Sequence, residues 1–361
     1  MSDAQGGWIL YGANGYTGEL TARMAAATGM RPILAGRNAT AVAALAQELG
    51  LEHRVAGLDD PAVVDQLLAT PGAGGRPQVV LHCAGPFSRT AQPMADACMR
   101  NGVHYLDITG EIGVFEALAA RYDEAKKAGV MLLPGAGFDV VPSDCLAAHL
   151  NRRLPSATRL QLGILTVGGV SRGTTMTMLE GIESGQGGMV RVNGKLTEVP
   201  AGAKTRAIDY GRGPRESLLM PWGDVATAYH STGIPNIEVY MAFPPAMTRA
   251  MQASRYLGWL TKVPGVMRMV KQRVQNGPAG PNMEARAKGL SILWGLVEDG
   301  DGNRAESRLR APEGYTFTAL SSLAIVRKVL AGQVRPGFQT PSSAYGPDLV
   351  MEIPGVERVD L

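Results

Sequence analysis

Cysteine is scarce in this 361-residue chain, and Cys83, Cys98 and Cys145 form neither a Cys-x-x-Cys pair nor an even set. That argues against a disulfide framework and a cysteine-built zinc site, and no metal is expected. No apolar run reaches the roughly 18 to 20 residues that span a bilayer. The first residues, Met-Ser-Asp-Ala-Gln-Gly-Gly, lack the basic-then-apolar order of a signal peptide. Charge is nearly balanced: a formal net charge of +3 is too small to draw the whole chain to nucleic acid. What is left, with 45% hydrophobic and 19% charged residues, is a soluble globular profile long enough for two domains. A cytoplasmic, reduced setting is the expectation.

The first half alternates. Residues 8–13, 31–36, 51–58, 78–85, 103–109 and 130–135 read as strands, the apolar ones with little alternation, as when both faces are covered. Helices are predicted between them over 18–29, 38–50, 60–69, 90–101 and 114–128, with Asp60 as an N-cap ahead of Pro61. Six strands in this rhythm predict an α/β fold, a Rossmann-like doubly wound parallel sheet with right-handed crossovers.

In such a sheet the first strand-to-helix turn takes a dinucleotide pyrophosphate on backbone N–H groups. Here that turn is Gly12-Ala-Asn-Gly-Tyr-Thr-Gly18. Gly12 permits the sharp turn, Gly15 removes a Cβ from the path of the pyrophosphate, and Gly18 lets the helix approach the sheet. The spacing alone is weak, but its position after the first strand strengthens it. Asn14, Tyr16 and Thr17 complete the candidate loop. The acidic residue that binds an NAD ribose is missing from the end of the second strand, where Ala35-Gly-Arg37-Asn38 stands instead. Arg37 suits a 2′-phosphate, so NADP(H) is expected over NAD, with Asn38 among the cofactor candidates and Asp59 on the adenine side.

These residues, together with Cys83-Ala-Gly-Pro-Phe87, His104-Tyr-Leu-Asp-Ile-Thr-Gly-Glu111, Gly137-Phe-Asp-Val-Val-Pro-Ser-Asp144 and Thr340-Pro-Ser-Ser-Ala-Tyr-Gly346, resemble the saccharopine dehydrogenase-like oxidoreductases. The branch that includes trans-acting enoyl reductases is the nearest in pattern. The resemblance implies an NADPH-dependent reductase with a Rossmann domain and a substrate domain, delivering hydride to a polarised C=C or C=N bond. It does not name the substrate.

Ala84, Gly85, Pro86 and Phe87 end the fourth strand and are expected beside the nicotinamide ribose. Tyr105, Asp107, Glu111, Asp139 and Asp144 follow the fifth and sixth strands, in the crevice where ligands bind open α/β sheets. Tyr105, Glu111 and Asp139 are the catalytic candidates. Against them stand structural roles: backbone amides for Asp107, helix capping for Ser143 and Asp144. A rival chemistry is a short-chain-dehydrogenase-type carbonyl reductase using Tyr122 and Lys126, spaced Tyr-x-x-x-Lys, with Thr109 in place of serine. The charged surroundings of Tyr122 favour a solvated helix face instead.

From about residue 147 the rhythm stops. A strand over 159–167, a hairpin over 190–199 on Asn193-Gly194, and a second hairpin around Asp299-Gly-Asp-Gly-Asn303 predict a mostly antiparallel α+β domain. The last turn resembles a calcium loop but lacks the required glutamate. The expected division is 1–146 for the NADP-binding domain and 147–332 for the substrate domain, with 333–361 packing back on the first. Arg172, in Val170-Ser-Arg-Gly-Thr-Thr175, could clamp a substrate anion, and Tyr229 or His230, in a loop over 228–236, could give a proton. Residues 246–274 hold Arg249, Arg255, Lys262, Arg268, Lys271 and Arg273 with no acid among them. They read either as core-packed helices or as a basic amphipathic contact with a membrane surface or an acidic carrier. The partners expected are thus a small-molecule or acyl- or lipid-linked substrate and no nucleic acid, with a homodimer and a peripheral membrane position left open. A non-catalytic NADP(H)-binding sensor or adaptor is the remaining alternative.

Overall fold

The computed structural model describes residues 7–361 apart from 170, 174, 177–178, 180–187, 201–203, 245–247 and 249–265. The chain forms two compact units, Met1–Val141 with Tyr315–Pro354, and Pro142–Gly314 with Gly355–Leu361.

In the first unit the predicted alternation is present: β1 (Gly7–Tyr11), α1 (Tyr16–Ala27), β2 (Ile33–Gly36), α2 (Ala39–Leu49), β3 (His53–Val55), α3 (Pro61–Ala69), β4 (Pro77–His82), α4 (Phe87–Asn101), β5 (His104–Asp107), α5 (Ile112–Ala119), α6 (Tyr122–Lys127) and β6 (Met131–Leu133). The six strands pair in parallel in the order β6-β5-β4-β1-β2-β3. The single helix expected over 114–128 is two, because the chain turns at Ala120-Arg121 before starting again. Asp60 caps α3 as expected, its carboxylate accepting the Ala62 amide at 2.9 Å. Ile9, Tyr11, Val80 and Tyr105 pack under Met94, Ala95 and Cys98 of α4; fully burying each large side chain contributes roughly 1.5–3 kcal/mol.

The second unit opens with α7 (Val141–Arg153) and β7 (Arg159–Val167), followed by β8 (Gly188–Val192), β9 (Lys195–Val199), β10 (Thr205–Asp209), β11 (Pro214–Leu219), α8 (Asp224–Thr232), β12 (Asn236–Ala242), α9 (Val266–Gln275), α10 (Met283–Lys288), β13 (Leu290–Glu298) and β14 (Arg304–Pro312). Its nine-stranded sheet is antiparallel except where β12 runs parallel to β7. Asn193 and Gly194 both take positive φ, 48° and 78°, which closes the β8–β9 hairpin as predicted. At the β13–β14 turn the Asp299 carboxylate accepts from its own loop, from the Asp301 and Asn303 amides and the Asn303 side chain. That turn uses its acid to close itself. The hairpin β10–β11 was not anticipated.

The chain then enters α11 (Gly314–Leu330), β15 (Gly337–Phe338) and α12 (Pro341–Tyr345), and ends on β16 (Glu357–Asp360). Here the division departs from the expected one. Residues 315–354 belong to the first unit, because Thr318 and Ser321 of α11 bond Phe138 N and Ala136 O, and β15 extends the parallel sheet beside β6. The last strand instead pairs with β14 in the second unit. Among the described residues no helix is long and apolar enough to cross a membrane.

Candidate dinucleotide site

The glycine turn sits where β1 ends and α1 begins. Gly12 has φ +80°, and a Cβ there would fall 2.7 Å from Ala84 N, so both conformation and space demand glycine. At Gly18 a Cβ would lie 2.2 Å from Gly12 O: α1 meets its own strand too closely for any side chain. Gly15 is exposed, and a Cβ there would meet only Gly12 O at 3.3 Å, on a side otherwise open to a ligand. Gly15 is the N-cap of α1 and supplies no side-chain cap. A helix start left in this state fits a phosphate, whose oxygens take the amides and complement the helix dipole.

Around the second strand the electrostatics match. Arg37 is exposed and makes no ion pair or hydrogen bond with a described residue. Arg37 and Asp59 act with opposite sign on Tyr11, whose hydroxyl donates to Ala56 O at 2.9 Å and whose pKa burial pushes up to about 12. One expectation changes here. The space over Gly36 is filled by Asn14, whose Oδ1 would lie 3.1 Å from a Cβ at residue 36. The Asn38 side chain, a cofactor candidate in the sequence, is committed to capping α2, accepting Ala41 N at 3.0 Å, which leaves Arg37 as the uncommitted charged side chain at this strand end.

The ends of β4, β5 and β6 are tied by one chain of hydrogen bonds. Phe87 N and Ser88 N donate to the two carboxylate oxygens of Glu111, each at 2.8 Å. Glu111 N donates to Thr109 Oγ1, and Thr109 N to Asp107 Oδ1. Gly135 N also donates to Asp107 Oδ1, and Tyr105 OH to Asp107 Oδ2 at 2.6 Å. Thr90, which the sequence did not flag, holds the loop 84–87 from the other side, its hydroxyl donating to Ala84 O and Pro86 O. This arrangement revises two catalytic candidates. Glu111 caps α4, whose own N-cap, Pro86, has no side-chain donor or acceptor to offer. Tyr105 lies wholly in the core, and burial and the Asp107 carboxylate push its pKa well above 10. Burial raises Asp107 to about 6 against the pull of its hydrogen bonds.

Asp139 is different. It is partly accessible, stands against Gly110 at the end of β5, and has no hydrogen-bond or ion-pair partner among the described residues. Burial lifts its pKa to about 6. Asp144 lies in the first turn of α7 in the second unit and accepts from Ser231 Oγ at 2.7 Å.

The rival pair is excluded by its place in the sheet. Tyr122 begins α6, which leads into the amino end of β6, and its ring packs on Gly337 of β15. Thr109 follows the carboxyl end of β5. The two would have to act from opposite edges of the sheet. The Lys126 ammonium rests 5.5 Å from the Tyr122 ring centroid on a surface helix.

The three substrate candidates lie in the second unit. Tyr229 and His230 are on helix α8, not in a loop. Tyr229 lies under the Arg191 guanidinium at 4.2 Å, which itself is buried and donates to Val225 O and Gly194 O. Arg172 donates from its guanidinium to Gln275 O at 2.8 Å and from its amide to Ala279 O. Of the basic stretch 246–274, residues 246–247 and 249–265 fall outside the described residues.

Residues 8–133 match the model of the family described as "Saccharopine dehydrogenase NADP binding domain". This part of the chain is similar to that family. The match implies a nicotinamide dinucleotide cofactor, in agreement with the glycine turn. The trans-acting enoyl reductase of Mycobacterium ulcerans (strain Agy99) is 33% identical over 163 residues, covering 42% of this chain and 38% of that protein. The trans-acting enoyl reductase of Mycobacterium leprae (strain TN) is 33% identical over 154 residues, covering 40% of this chain and 35% of that protein. The chain thus spans well under half the length of the curated relatives it matches. Among solved structures, the apo histidine-tagged saccharopine dehydrogenase (L-Glu forming) from Saccharomyces cerevisiae superposes with a TM-score of 0.68 at 12% identity, covering 99% of this chain and 100% of that one. That likeness establishes the saccharopine dehydrogenase fold.

Proposed function

We propose that the protein is an NADP(H)-dependent oxidoreductase that reduces a polarised C=C or C=N bond. One observation carries the cofactor assignment: an exposed arginine without an anionic partner among the described residues directly follows β2, beside a glycine turn whose helix has no side-chain cap. Arg37 pairs with the 2′-phosphate, and the start of α1 takes the pyrophosphate. Bound NADPH supplies a hydride from its nicotinamide. As the acceptor carbon takes that hydride, the double-bond electron pair moves to the neighbouring atom, which needs a proton. Asp139 is the donor this reading assigns. It lies at the ligand end of the sheet, free of competing partners, with a pKa of about 6 that leaves it partly protonated near neutrality. Glu111 and Asp107 act one step back, holding the loop 84–87 and the ends of β5 and β6 in place.

The name shared by the two mycobacterial relatives supports an enoyl acceptor. The six cations without an acid in 246–274 support an acyl substrate presented on a lipid surface or an acidic carrier. The test is NADPH oxidation against enoyl thioesters and cyclic imines, with Asp139→Asn alongside. Turnover of one class, lost in the variant while NADPH still binds, supports the assignment. Tight NADPH binding with no turnover of either class would replace the enzyme with a sensor.

A further inference from the structure

Helix α11 is separated from α1 by most of the sequence, yet the two are fastened at both ends. At one end Tyr315 meets Tyr16 edge-on, with ring centroids 5.0 Å apart and planes at 90°. At the other, the same number of residues further along each helix, Arg327 donates to Thr28 Oγ1 at 3.0 Å. The helices therefore run in parallel, and both present their N-termini at the carboxyl edge of the parallel sheet. α11 is anchored there independently of α1. Thr318 Oγ1 accepts Phe138 N at 2.9 Å, Ser321 Oγ donates to Ala136 O at 2.8 Å, and Phe317 meets Phe138 edge-to-face at 5.9 Å. Gly137 admits Thr318 so closely that a Cβ there would fall 2.8 Å from its methyl.

Tyr16 occupies the first position of α1, immediately after Gly15, and is only half-buried. A half-exposed tyrosine on a helix start has several rotamers, and a ligand that needs one of them bears the cost of fixing it, about 0.5–1.5 kcal/mol. The Tyr315 ring limits that freedom beforehand, alongside the other contacts of Tyr16. Its ring meets the Tyr16 ring in the edge-to-face geometry that aromatic quadrupoles favour. We propose that Tyr315 is a positioning residue for the dinucleotide: it fixes the Tyr16 ring as a wall beside the pyrophosphate and nicotinamide half of the cofactor, and so makes α11 part of the cofactor site. This rests on the NADP(H) assignment above. No match to the family model extends to α11, since that match ends at residue 133.

The test uses the full chain and two probes. NADPH engages both halves of the site, whereas 2′-AMP engages the Arg37 side alone. Tyr315→Leu keeps bulk without a ring edge, and Tyr315→Phe keeps the ring. Tyr315→Leu should weaken NADPH by roughly 3- to 10-fold, from the energy of an aromatic pair, and leave 2′-AMP affinity unchanged. Tyr315→Phe should restore NADPH affinity. Tyr16→Leu should weaken NADPH too, and adding Tyr315→Leu to it should cost little more, because the second ring acts only through the first. A purely structural role predicts a lower melting temperature with NADPH affinity intact in Tyr315→Leu, and that result overturns the proposal. Weakening of NADPH and 2′-AMP alike, or full additivity with Tyr16→Leu, would also overturn it. If the wild-type chain binds neither probe, the cofactor assignment itself is what fails.

Discussion

His82 offers the sharpest physical test of the first unit. It ends β4 one residue before Cys83, fully buried, and neither ring nitrogen has a partner among the described residues. Tyr11, Phe87 and Tyr105 surround it at centroid distances of 5.3, 5.4 and 6.3 Å. Burial in this aromatic box drives its pKa down to about 3. The unfolded chain binds a proton on this residue near pH 6.5, while the folded one does not until near pH 3, so stability falls as pH drops through that window. The loss from His82 alone grows from a few tenths of a kcal/mol at pH 7 to about 2 kcal/mol at pH 5. Asp107 and Asp139, raised to about 6, work in the opposite direction: their burial penalty is relieved as pH falls from about 6 toward 3.8. The total pH profile therefore mixes both signs, and only a comparison isolates the histidine. His82→Leu removes it at similar volume. Amide hydrogen exchange of β1, β4 and β5 reads the opening free energy of this unit directly. Between pH 7 and pH 5 the wild type should lose about 2 kcal/mol relative to the variant, which should be at least as stable at pH 7 because an unpaired buried polar group has gone. Parallel profiles for the two proteins would refute the reasoning and place a hydrogen-bonding partner against the imidazole.

Glu111→Ala leaves two amides at the start of α4 without their acceptor; unfolding stability should fall by about 1–3 kcal/mol, and Glu111→Gln should recover part of it. Dinucleotide affinity should fall with it, as titration of both variants will show. Gly18→Ala drives a methyl group into Gly12 O, and thermal melts should show a loss of roughly 2–4 kcal/mol. If Asp139 is the proton donor, turnover should decline as pH rises through about 6, and Asp139→Asn should flatten that limb while lowering kcat by roughly 10²- to 10⁴-fold. An unchanged pH–rate profile in the variant would assign the proton to another group.

Much of the fold was legible because its signals are local. In the first unit the alternating strands and helices and the Asp60 cap, and in the second the Asn193-Gly194 turn, all depend on residues within a few positions of each other. The glycine turn was legible for the same reason, since Gly12, Gly15 and Gly18 each answer a constraint set by β1 and α1. The roles of Tyr105 and Glu111 were not. A polar residue near a strand end can face the ligand crevice or the helix layer, and Tyr105 shares a face with Tyr11 and Val80 under α4. Glu111 reaches the amides of Phe87 and Ser88, a partner more than twenty residues away that no spacing rule selects. Tyr229 was misplaced because Gly233 and Pro235 read as loop signals, whereas Gly233, at φ 74°, closes the end of α8. The attachment of α11 to the first unit depends on Thr318 and Ser321 finding the backbone of 136–138, a pairing with no trace in either segment alone.

The central claim is that Arg37 and the glycine turn make an NADP(H) site. Its most direct test is a fluorescence titration of the purified chain with NADPH and NADH side by side, repeated on Arg37→Ala. The wild type should prefer NADPH, and the variant should lose roughly 10- to 100-fold for NADPH alone, the value of a charge-assisted pair with the 2′-phosphate. Equal affinity for the two cofactors, unmoved by the substitution, would contradict it.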